Sequence, residues 1–384
     1  MSQSRADTLQ AHFSSADGAP RPILTSLNGD HSWLISFPRP AAERARTGSK
    51  AYFHVVSEPW LTGRASVGNP WIMEIRTETP AAIPSGTAVE AVIGEIEKAA
   101  ASANLITPNT APTHEAATDE ASSPIDAIFL NFHYPDHLDE ATLRTFDGAI
   151  PVFATPEAAA IARRWGHFSR ITETRDLDSA APTDSWPSLH PGGSLPEWLS
   201  VFRVPGHREL NFATAVVYSH QDNGDKTRNK MQHELLLYSP HGIKADQPTL
   251  RALLANVVTD SSSSPDDDSD ASMMSVLAIL HGLKESFSFG RATVLGVAGG
   301  LALERVAGPR YWVKSHDARL GYTGVLPFLA RTNDVRRTMQ SGLEEEEDKL
   351  KLEGEGDVNG GGGGGEGRRE PNFVEVENGS CFVL

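Results

Sequence analysis

One nonapeptide indicates the fold of this chain more than any other stretch: Asn131-Phe132-His133-Tyr134-Pro135-Asp136-His137-Leu138-Asp139. It follows an apolar run at 125–130 that is short enough for a buried strand. It precedes a sequence at 139–144 that starts like a capped helix. Imidazole and carboxylate groups are common ligands of transition metals. An Asp-His pair between a strand and a helix therefore makes Asp136 and His137 the first candidate metal ligands.

The nonapeptide resembles the motif H-x-H-x-D-H-L-D of the metallo-β-lactamase superfamily, which lies between a strand and a helix. When residues 136–139 are matched to the end of this motif, its first two histidines fall on Phe132 and Tyr134. A phenyl or phenol ring cannot bind zinc as imidazole does. The chain therefore has a degenerate form of the motif.

Four further segments resemble parts of the same superfamily and occur in the same order. They are Glu58-Pro59-Trp60-Leu61, Val204-Pro205-Gly206-His207, the strand and turn at 236–242, and the strand and loop at 311–317. The first is similar to the D-P-W-L of the branch that contains ascorbate-phosphate lactonases and N-acyl-phosphatidylethanolamine phospholipase D. The resemblance as a whole spans roughly residues 25 to 335. The resemblance implies the α/β (α+β) class and a four-layer αββα metallo-β-lactamase-like sandwich.

The pattern of apolar residues predicts a compatible layout. Strand patterns at 31–37 and 51–56 come first, and later strand patterns alternate with helix patterns. The helix at 155–164 should begin with Thr155 as the N-cap and Pro156 in the first turn. Such an order is typical of sheets that pack together with helices outside.

The resemblance also implies which metal ligands remain. One metal of the superfamily uses the first two motif histidines and the histidine matched by His207, so that metal should be absent here. The other uses the positions of Asp136, His137 and His316, together with a bridging aspartate that is replaced by Pro240. Two imidazoles and one carboxylate can hold a divalent metal and leave positions open.

We therefore predict at most one metal ion, Zn²⁺, Mn²⁺ or Fe²⁺, in a site where His207, His133 or His241 lies close enough to assist. The predicted function is hydrolysis of a small ester, lactone or phosphoester by metal-bound water, with Asp136 or His207 as the assisting catalytic residue. The alternative is a catalytically inactive binding or scaffold protein that keeps the fold. In that case Asp136 would brace the following helix, and His137 would be a hydrogen-bonded core residue.

Composition excludes several other classes. The 384 residues are 39% hydrophobic, which is sufficient for a large core. A net charge of −16 argues against nucleic acid as a partner. The single cysteine excludes an intramolecular disulfide and a cysteine-rich zinc site. With a polar N-terminus and no long apolar run, we expect a cytoplasmic protein that acts on a small molecule, and its oligomeric state stays open.

The segments outside the sandwich are recognised by composition. We predict a disordered N-terminus at 1–22, one domain at 23–340 with insertions at about 77–124 and 259–271, an acidic and glycine-rich flexible linker at 341–370, and a C-terminal segment at 371–384. About half of the net negative charge follows residue 340.

The last four residues, Cys381-Phe382-Val383-Leu384, have two interpretations. They fit the C-a-a-X pattern of prenylation, although the acidic tail before them would be repelled by anionic lipid. They could instead form one strand of a β-hairpin that turns near Asn378-Gly379. Membrane contact is expected only if Cys381 is prenylated.

Overall fold

The computed structural model describes residues 4–14, 19–46, 48–106, 123–180, 183–221, 231–255, 257, 273–354 and 370–384. The strands in this part of the chain are β1 (Ile23–Ser26), β2 (Trp33–Pro38), β3 (Tyr52–Ser57), β4 (Arg64–Ser66), β5 (Glu74–Thr77), β6 (Ala127–Leu130), β7 (Val152–Ala154), β8 (Ile171–Glu173), β9 (Leu199–Val204), β10 (Ala213–Gln221), β11 (Met231–Tyr238), β12 (Met273–His281), β13 (Glu285–Ser288), β14 (Arg291–Leu295), β15 (Tyr311–Lys314), β16 (Leu320–Thr323), β17 (Asn333–Val335), β18 (Phe373–Val374) and β19 (Cys381–Val383).

The helices in the same ranges are α1 (Arg5–Ser14), α2 (Ala41–Arg44), α3 (Gly86–Ser102), α4 (Glu140–Leu143), α5 (Pro156–Arg164), α6 (Pro248–Leu254), α7 (Gly296–Ala307), α8 (Val325–Ala330) and α9 (Met339–Gly354), with a 3₁₀ helix at Thr183–Leu189. As predicted, α5 has Thr155 at its N-cap and Pro156 in its first turn. None of these helices is both long enough and apolar enough to cross a membrane.

Two large sheets contain most of the strands. The order of the seven-stranded sheet is β19-β1-β2-β3-β6-β7-β8, and that of the six-stranded sheet is β18-β15-β12-β11-β10-β9. Each sheet has three consecutive antiparallel strands, β1–β3 or β9–β11, whose last member starts a parallel series. Two small sheets, β14-β13-β17 and β16-β5-β4, complete the structure.

Side chains that alternate along the strands pack the two large sheets against each other. In β6, Ala127 and Phe129 belong to an apolar cluster shared by both sheets. Ile128 and Leu130 point the other way, into a cluster that also contains helix residues. The strand β11 alternates in the same manner. This two-residue period follows from strand geometry and gives each sheet two buried faces.

Helices cover both outer faces. Side chains of α1, α3, α4 and α5 share a cluster with the seven-stranded sheet, and side chains of α6 and α7 share one with the six-stranded sheet. The layers therefore run helix, sheet, sheet, helix. The predicted αββα sandwich is confirmed.

The prediction of disorder at 1–22 is wrong for α1, which spans Arg5–Ser14. In α1, Leu9 is buried under the seven-stranded sheet's helical layer, with 2% of its surface exposed. The guanidinium of Arg5 binds Glu95 of α3 and the carbonyl of Gly379. These contacts stabilise a short polar helix that is too weak to form alone.

The predicted flexible linker at 341–370 is wrong for its first part, which belongs to α9. Met339 and Leu343 pack beside the cluster under α7, and Arg305 of α7 forms an ion pair with Glu346 at 3.0 Å. Tertiary contacts thus order a sequence whose composition is that of a solvated segment. Residues 355–369 of the predicted linker lie outside the described residues.

Part of the predicted insertion at 77–124 also belongs to the sandwich. The helix α3 buries Val89, Ile93 and Ile96 against the seven-stranded sheet. Residues 107–122 of this insertion, and all of the predicted insertion at 259–271, lie outside the described residues.

The predicted C-terminal hairpin is wrong in its pairing. Both strands form, but β18 pairs in parallel with β15 of the six-stranded sheet, whereas β19 pairs antiparallel with β1 of the seven-stranded sheet. The turn at Asn378-Gly379 crosses between them. The C-terminal segment therefore extends an edge of each sheet, and prenylation of Cys381 would require β19 to leave its sheet.

The position of β19 predicts an unreactive thiol. Cys381 is 8% exposed, and burial raises its pKa to about 11, so little thiolate should be present at neutral pH. We expect Ellman's reagent to modify the native protein far more slowly than the same protein unfolded in guanidinium chloride. Equal rates in the two states would show that β19 is not held in the sheet.

Candidate metal centre

The candidate site lies where loops follow strands at one edge of the sandwich. The segment 27–32 follows β1, Glu58 follows β3, and the nonapeptide at 131–139 follows β6, three strands that run in the same direction. The segments 239–242 and 315–317 follow β11 and β15, which are parallel to each other through β12. Ligand sites in open α/β sheets commonly lie outside the carboxyl ends of parallel strands.

Four histidines from these loops form one cluster. They are His31, His137, His241 and His316, and the centroids of neighbouring rings are 4.1 to 5.1 Å apart. All four side chains are buried. One ligand atom each from His31, His137 and His316 lies within 4.8 Å of the other two, which allows these three to bind one metal ion.

A buried carboxylate fixes the orientation of His137. The Oε1 atom of Glu58 accepts the backbone N–H groups of Asn131 at 3.0 Å and Phe132 at 2.8 Å. Its Oε2 atom accepts from Nδ1 of His137 and from the hydroxyl of Tyr238, each at 2.7 Å. The Nε2 atom of His137 is consequently left over, and it is buried with no hydrogen-bond partner.

The electrostatic surroundings of His137 favour a positive charge. Burial alone would lower its pKa, but the carboxylates of Glu58, Asp136 and Asp30 together raise it above the ordinary value. The Oδ2 atom of Asp136 lies 3.9 Å from the unpaired Nε2. A buried polar atom without a partner calls for an explanation, and an ion bound between these groups would provide one.

Asp30 holds two further histidines. Its Oδ2 atom lies 2.9 Å from Nδ1 of His31 and 3.4 Å from Nδ1 of His316, while Oδ1 accepts the N–H of Ala318 at 2.9 Å. Burial would raise the pKa of Asp30, but the neighbouring His316 and His31 hold it well below its ordinary value. The carboxylate therefore stays ionised and orients both rings.

Both ring nitrogens of His31 already face oxygen acceptors. Nδ1 lies beside the Asp30 carboxylate, and Nε2 is 2.9 Å from the backbone carbonyl oxygen of Asp136. His31 could therefore bind a metal only by giving up one of these contacts. By comparison, His137 has a free ring nitrogen in the present arrangement.

The remaining two rings are held in the form that metal binding needs. Burial lowers the pKa of His316 and lowers that of His241 well below the ordinary value, so both are neutral at physiological pH. Neutral imidazole is the form that binds a metal. Nδ1 of His241 is buried without a partner.

Two residues of the site have an unusual backbone. Glu58 and His316 have φ values of +48° and +58°, in the left-handed region that residues other than glycine seldom adopt. Backbone strain of this kind is concentrated at functional sites, where the surrounding structure holds it in place. Here it directs both side chains to the histidine cluster.

An aromatic ring lies at the position where the superfamily motif that the nonapeptide resembles has its first histidine. Phe132 is 1% exposed and stacks on Phe212, with 4.1 Å between ring centroids. Its ring centroid also lies 4.9 Å from that of His137 and 4.8 Å from that of His241. The packed ring gives this side of the cluster an apolar wall without ligand atoms, and Pro240 supplies no bridging carboxylate.

Besides His241, the sequence analysis singled out His207 and His133, and both lie outside the group of His31, His137 and His316, as does His281. His207 is half-buried in the loop after β9, and its pKa is lowered by burial and then by Lys244 and Arg208. Nε2 of His133 lies 3.2 Å from Glu209 near the surface. His281 has its Nδ1 atom bonded to the carbonyl of Gly282, and burial lowers its pKa to about 4.

Sequence reasoning missed Asp30 and His31. The signal was available, because the chain repeats the Asp-His dipeptide of positions 136–137 at positions 30–31. The resemblance to the superfamily assigned no ligand to this loop. Only the meeting of the β1–β2 loop with the other strand ends places the pair beside His137 and His316.

Solved structures similar to this chain include several hydrolases. An isothiocyanate hydrolase from Delia radicum gut bacteria has a TM-score of 0.46 and 12% identity, covering 94% of this chain and 99% of the other. A possible metal-dependent hydrolase from Veillonella parvula has a TM-score of 0.44 and 8% identity, covering 95% and 100%. The metallo-beta-lactamase fold protein YhfI from Bacillus subtilis has a TM-score of 0.38 and 7% identity, covering 94% and 99%.

A scan against models of protein families gives no match, and a search of curated proteins gives no relative. Because all three TM-scores are below 0.5, the fold assignment rests on the layers and strand order of this chain. The chain has the metallo-β-lactamase-like sandwich predicted from its sequence. The branch suggested by residues 58–61 stays a prediction.

The four bonds of Glu58 predict a large effect on stability. Glu58→Ala removes the acceptor of two backbone N–H groups, of His137 and of Tyr238, all in the protein interior. We expect a loss of about 3 to 5 kcal/mol in the free energy of unfolding, measured by urea denaturation. Tyr238→Phe, which removes one of these bonds, should cost about 1 kcal/mol.

The control is Glu140→Ala, which removes an exposed glutamate whose ion pair with Arg144 is at the surface. It should change the free energy of unfolding by less than about 0.5 kcal/mol. A Glu58→Ala variant as stable as this control would contradict the role given to Glu58.

Proposed function

We propose that this protein is a metal-dependent hydrolase that binds one divalent ion, Zn²⁺, Mn²⁺ or Fe²⁺, at the histidine cluster. Its proposed substrates are small esters, lactones or phosphoesters, and its proposed location is the cytoplasm. The supporting observation is the buried, unpaired Nε2 of His137, whose Nδ1 is held by Glu58. Metal-binding histidines typically donate their other nitrogen to a carboxylate in this way.

The donor set suits a mononuclear site. His316, whose pKa is lowered, would bind as a neutral imidazole, whereas His137, whose pKa is raised, would have to lose its Nε2 proton to bind. The third ligand would be either Asp136 or His31 after release of the Asp136 carbonyl. Three protein ligands leave positions open for water and substrate. When bound, the metal would supply Lewis-acid polarisation and lower the pKa of a water molecule.

The other residues prepare this chemistry. Glu58 and Asp30 orient the imidazoles, and Phe132 keeps water from one side of the cluster. If His31 is the third ligand, the Asp136 carboxylate is free to hold the proton of the attacking water. His207, which lies outside the three-histidine group, is proposed to assist at the substrate.

One observation favours the alternative of an inactive scaffold. The stacked rings of Phe132 and Phe212 fill the position of a family ligand, as expected for a site closed by side chains. Without metal, His137 would be a core histidine held by Glu58. The metal content of the protein distinguishes the two functions.

We predict that wild-type protein purified without chelators from medium supplemented with Zn²⁺, Mn²⁺ and Fe²⁺ contains close to one equivalent of metal. His316→Ala should lower this content about tenfold or more, because it removes a ligand itself. Loss of a residue that only hydrogen-bonds to a ligand already lowers metal affinity about 10- to 100-fold. Inductively coupled plasma mass spectrometry gives the measurement. Metal-free wild-type protein would favour the scaffold instead.

The matched control is His220→Ala. His220 lies near the far end of β10 in the six-stranded sheet, roughly 25 Å along the strand from Phe212, which precedes β10. Its replacement should leave the metal content unchanged. An equal loss in both variants would show that the metal is bound adventitiously.

We predict hydrolysis of at least one compound in a panel of p-nitrophenyl esters, lactones and phosphodiesters. Asp136→Asn should lower kcat/KM about 100-fold, because it removes a carboxylate that acts either on the metal or on the proton of water. His220→Ala should retain wild-type activity. Activity that survives both Asp136→Asn and metal chelation would contradict the proposed chemistry.

A further inference from the structure

A group of large apolar side chains is exposed at one end of the molecule. Trp71 is 66% exposed, Phe289 68%, Val325 49%, Phe328 82% and Leu329 63%, and we call these five residues the apolar patch. Single exposed apolar residues are common on proteins, but a contiguous group of this size generally marks an interaction surface.

Backbone hydrogen bonds hold together the three segments that carry the patch. The N–H of Val325, at the start of α8, donates to the carbonyl of Trp71 at 3.1 Å. At the other end of α8, the N–H of Phe289 donates to the carbonyl of Ala330 at 2.6 Å. The β4–β5 turn, the β13–β14 turn and α8 are therefore held together as one surface.

The β13–β14 turn contains a residue in an unfavourable backbone conformation. Phe289 has φ of +50°, a left-handed conformation that a bulky residue rarely adopts and that glycine would adopt freely. Its ring is mostly exposed, so burial in this molecule does not offset the strain. A strained and exposed phenylalanine is best explained by a partner that its ring contacts.

The charges beside the patch are positive. Arg291 follows the Phe289 turn, Arg331 follows α8, and both are exposed with no ion-pair partner among the described residues. Acidic groups on the neighbouring strands are already paired, as Glu285 is with Arg337 and Asp334 with Lys284. Although the chain has a net charge of −16, the apolar patch is therefore flanked by two arginines without ion-pair partners among the described residues.

We propose that the apolar patch docks on an anionic phospholipid surface. Aromatic and aliphatic side chains would enter the boundary between headgroups and acyl chains, and the arginines would contact lipid phosphates. A second copy of the chain is a poorer occupant, because symmetric pairing of this face would place Arg291 and Arg331 of both copies in one interface. This contact does not involve Cys381.

The chain segment that carries Trp71 also lines a cavity beside the nonapeptide. A cavity of about 550 Å³ lies between the β4–β5 hairpin and the nonapeptide, with Pro70, His133 and Leu138 among its lining residues. Trp71 directly follows Pro70 in the chain. Docking would thus bring the mouth of this cavity close to the lipid surface, whether or not a metal is bound.

The proposal is tested by sedimentation of the full-length protein with vesicles of phosphatidylcholine mixed with phosphatidylserine, and with vesicles of phosphatidylcholine alone. We expect binding to the mixed vesicles and markedly weaker binding to the neutral ones. Leu329→Ala should lower the partition coefficient several-fold, and Phe289→Gly about tenfold or more. Phe289→Gly should keep or raise the melting temperature, because glycine relieves the strain.

The matched control is Leu352→Ala, which removes a leucine of similar exposure on α9, outside the patch. It should bind mixed vesicles as the wild type does. Equal losses in Leu352→Ala and Leu329→Ala, or no binding to mixed vesicles, would overturn the proposal. So would a wild-type dimer in sedimentation velocity that Phe289→Gly abolishes while vesicle binding is unchanged, since the patch would then bind a second copy.

Discussion

The structure of the site depends on one buried carboxylate, that of Glu58. Its four hydrogen bonds join the end of β3 to two N–H groups after β6 and to Tyr238 at the end of β11. The two sheets are thereby connected at the edge where the histidines lie. A buried carboxylate is tolerated only when its oxygens accept enough hydrogen bonds, and each oxygen of Glu58 accepts two. One consequence is the fixed orientation of His137.

The histidine cluster combines two kinds of environment. Asp30 and Glu58 supply negative charge behind the rings, whereas Phe132 and Phe212 exclude water on another side. Such a setting favours a cation among the rings and strengthens its electrostatic interactions. Phe132 and Tyr134 supply no imidazole, whereas His31, His137 and His316 still lie close enough together to bind one ion. The loop after β1 adds a further imidazole, that of His31, and a carboxylate, that of Asp30, neither of which belongs to the motif.

The two large sheets share one plan that the sequence does not reveal as a repeat. Each has three antiparallel strands followed by parallel ones, and each receives one strand of the C-terminal segment. The strand periodicities of β6 and β11 could be predicted, because alternation requires only local geometry. The pairing of β18 and β19 with different sheets could not. It depends on which sheet edges remain free after the rest of the chain has folded.

The sequence by itself determined the class of fold, the strand and helix that flank residues 131–139, and the presence of Asp136, His137 and His316 as candidate ligands. These follow from local patterns and from the order of motif segments along the chain. The tertiary structure decided that α1 and α9 are ordered, that His31 and His241 join the cluster, and that His207 lies outside the three-histidine group. It also decided which ring nitrogens are free. These properties arise from contacts between residues far apart in the chain, and local sequence does not specify such contacts.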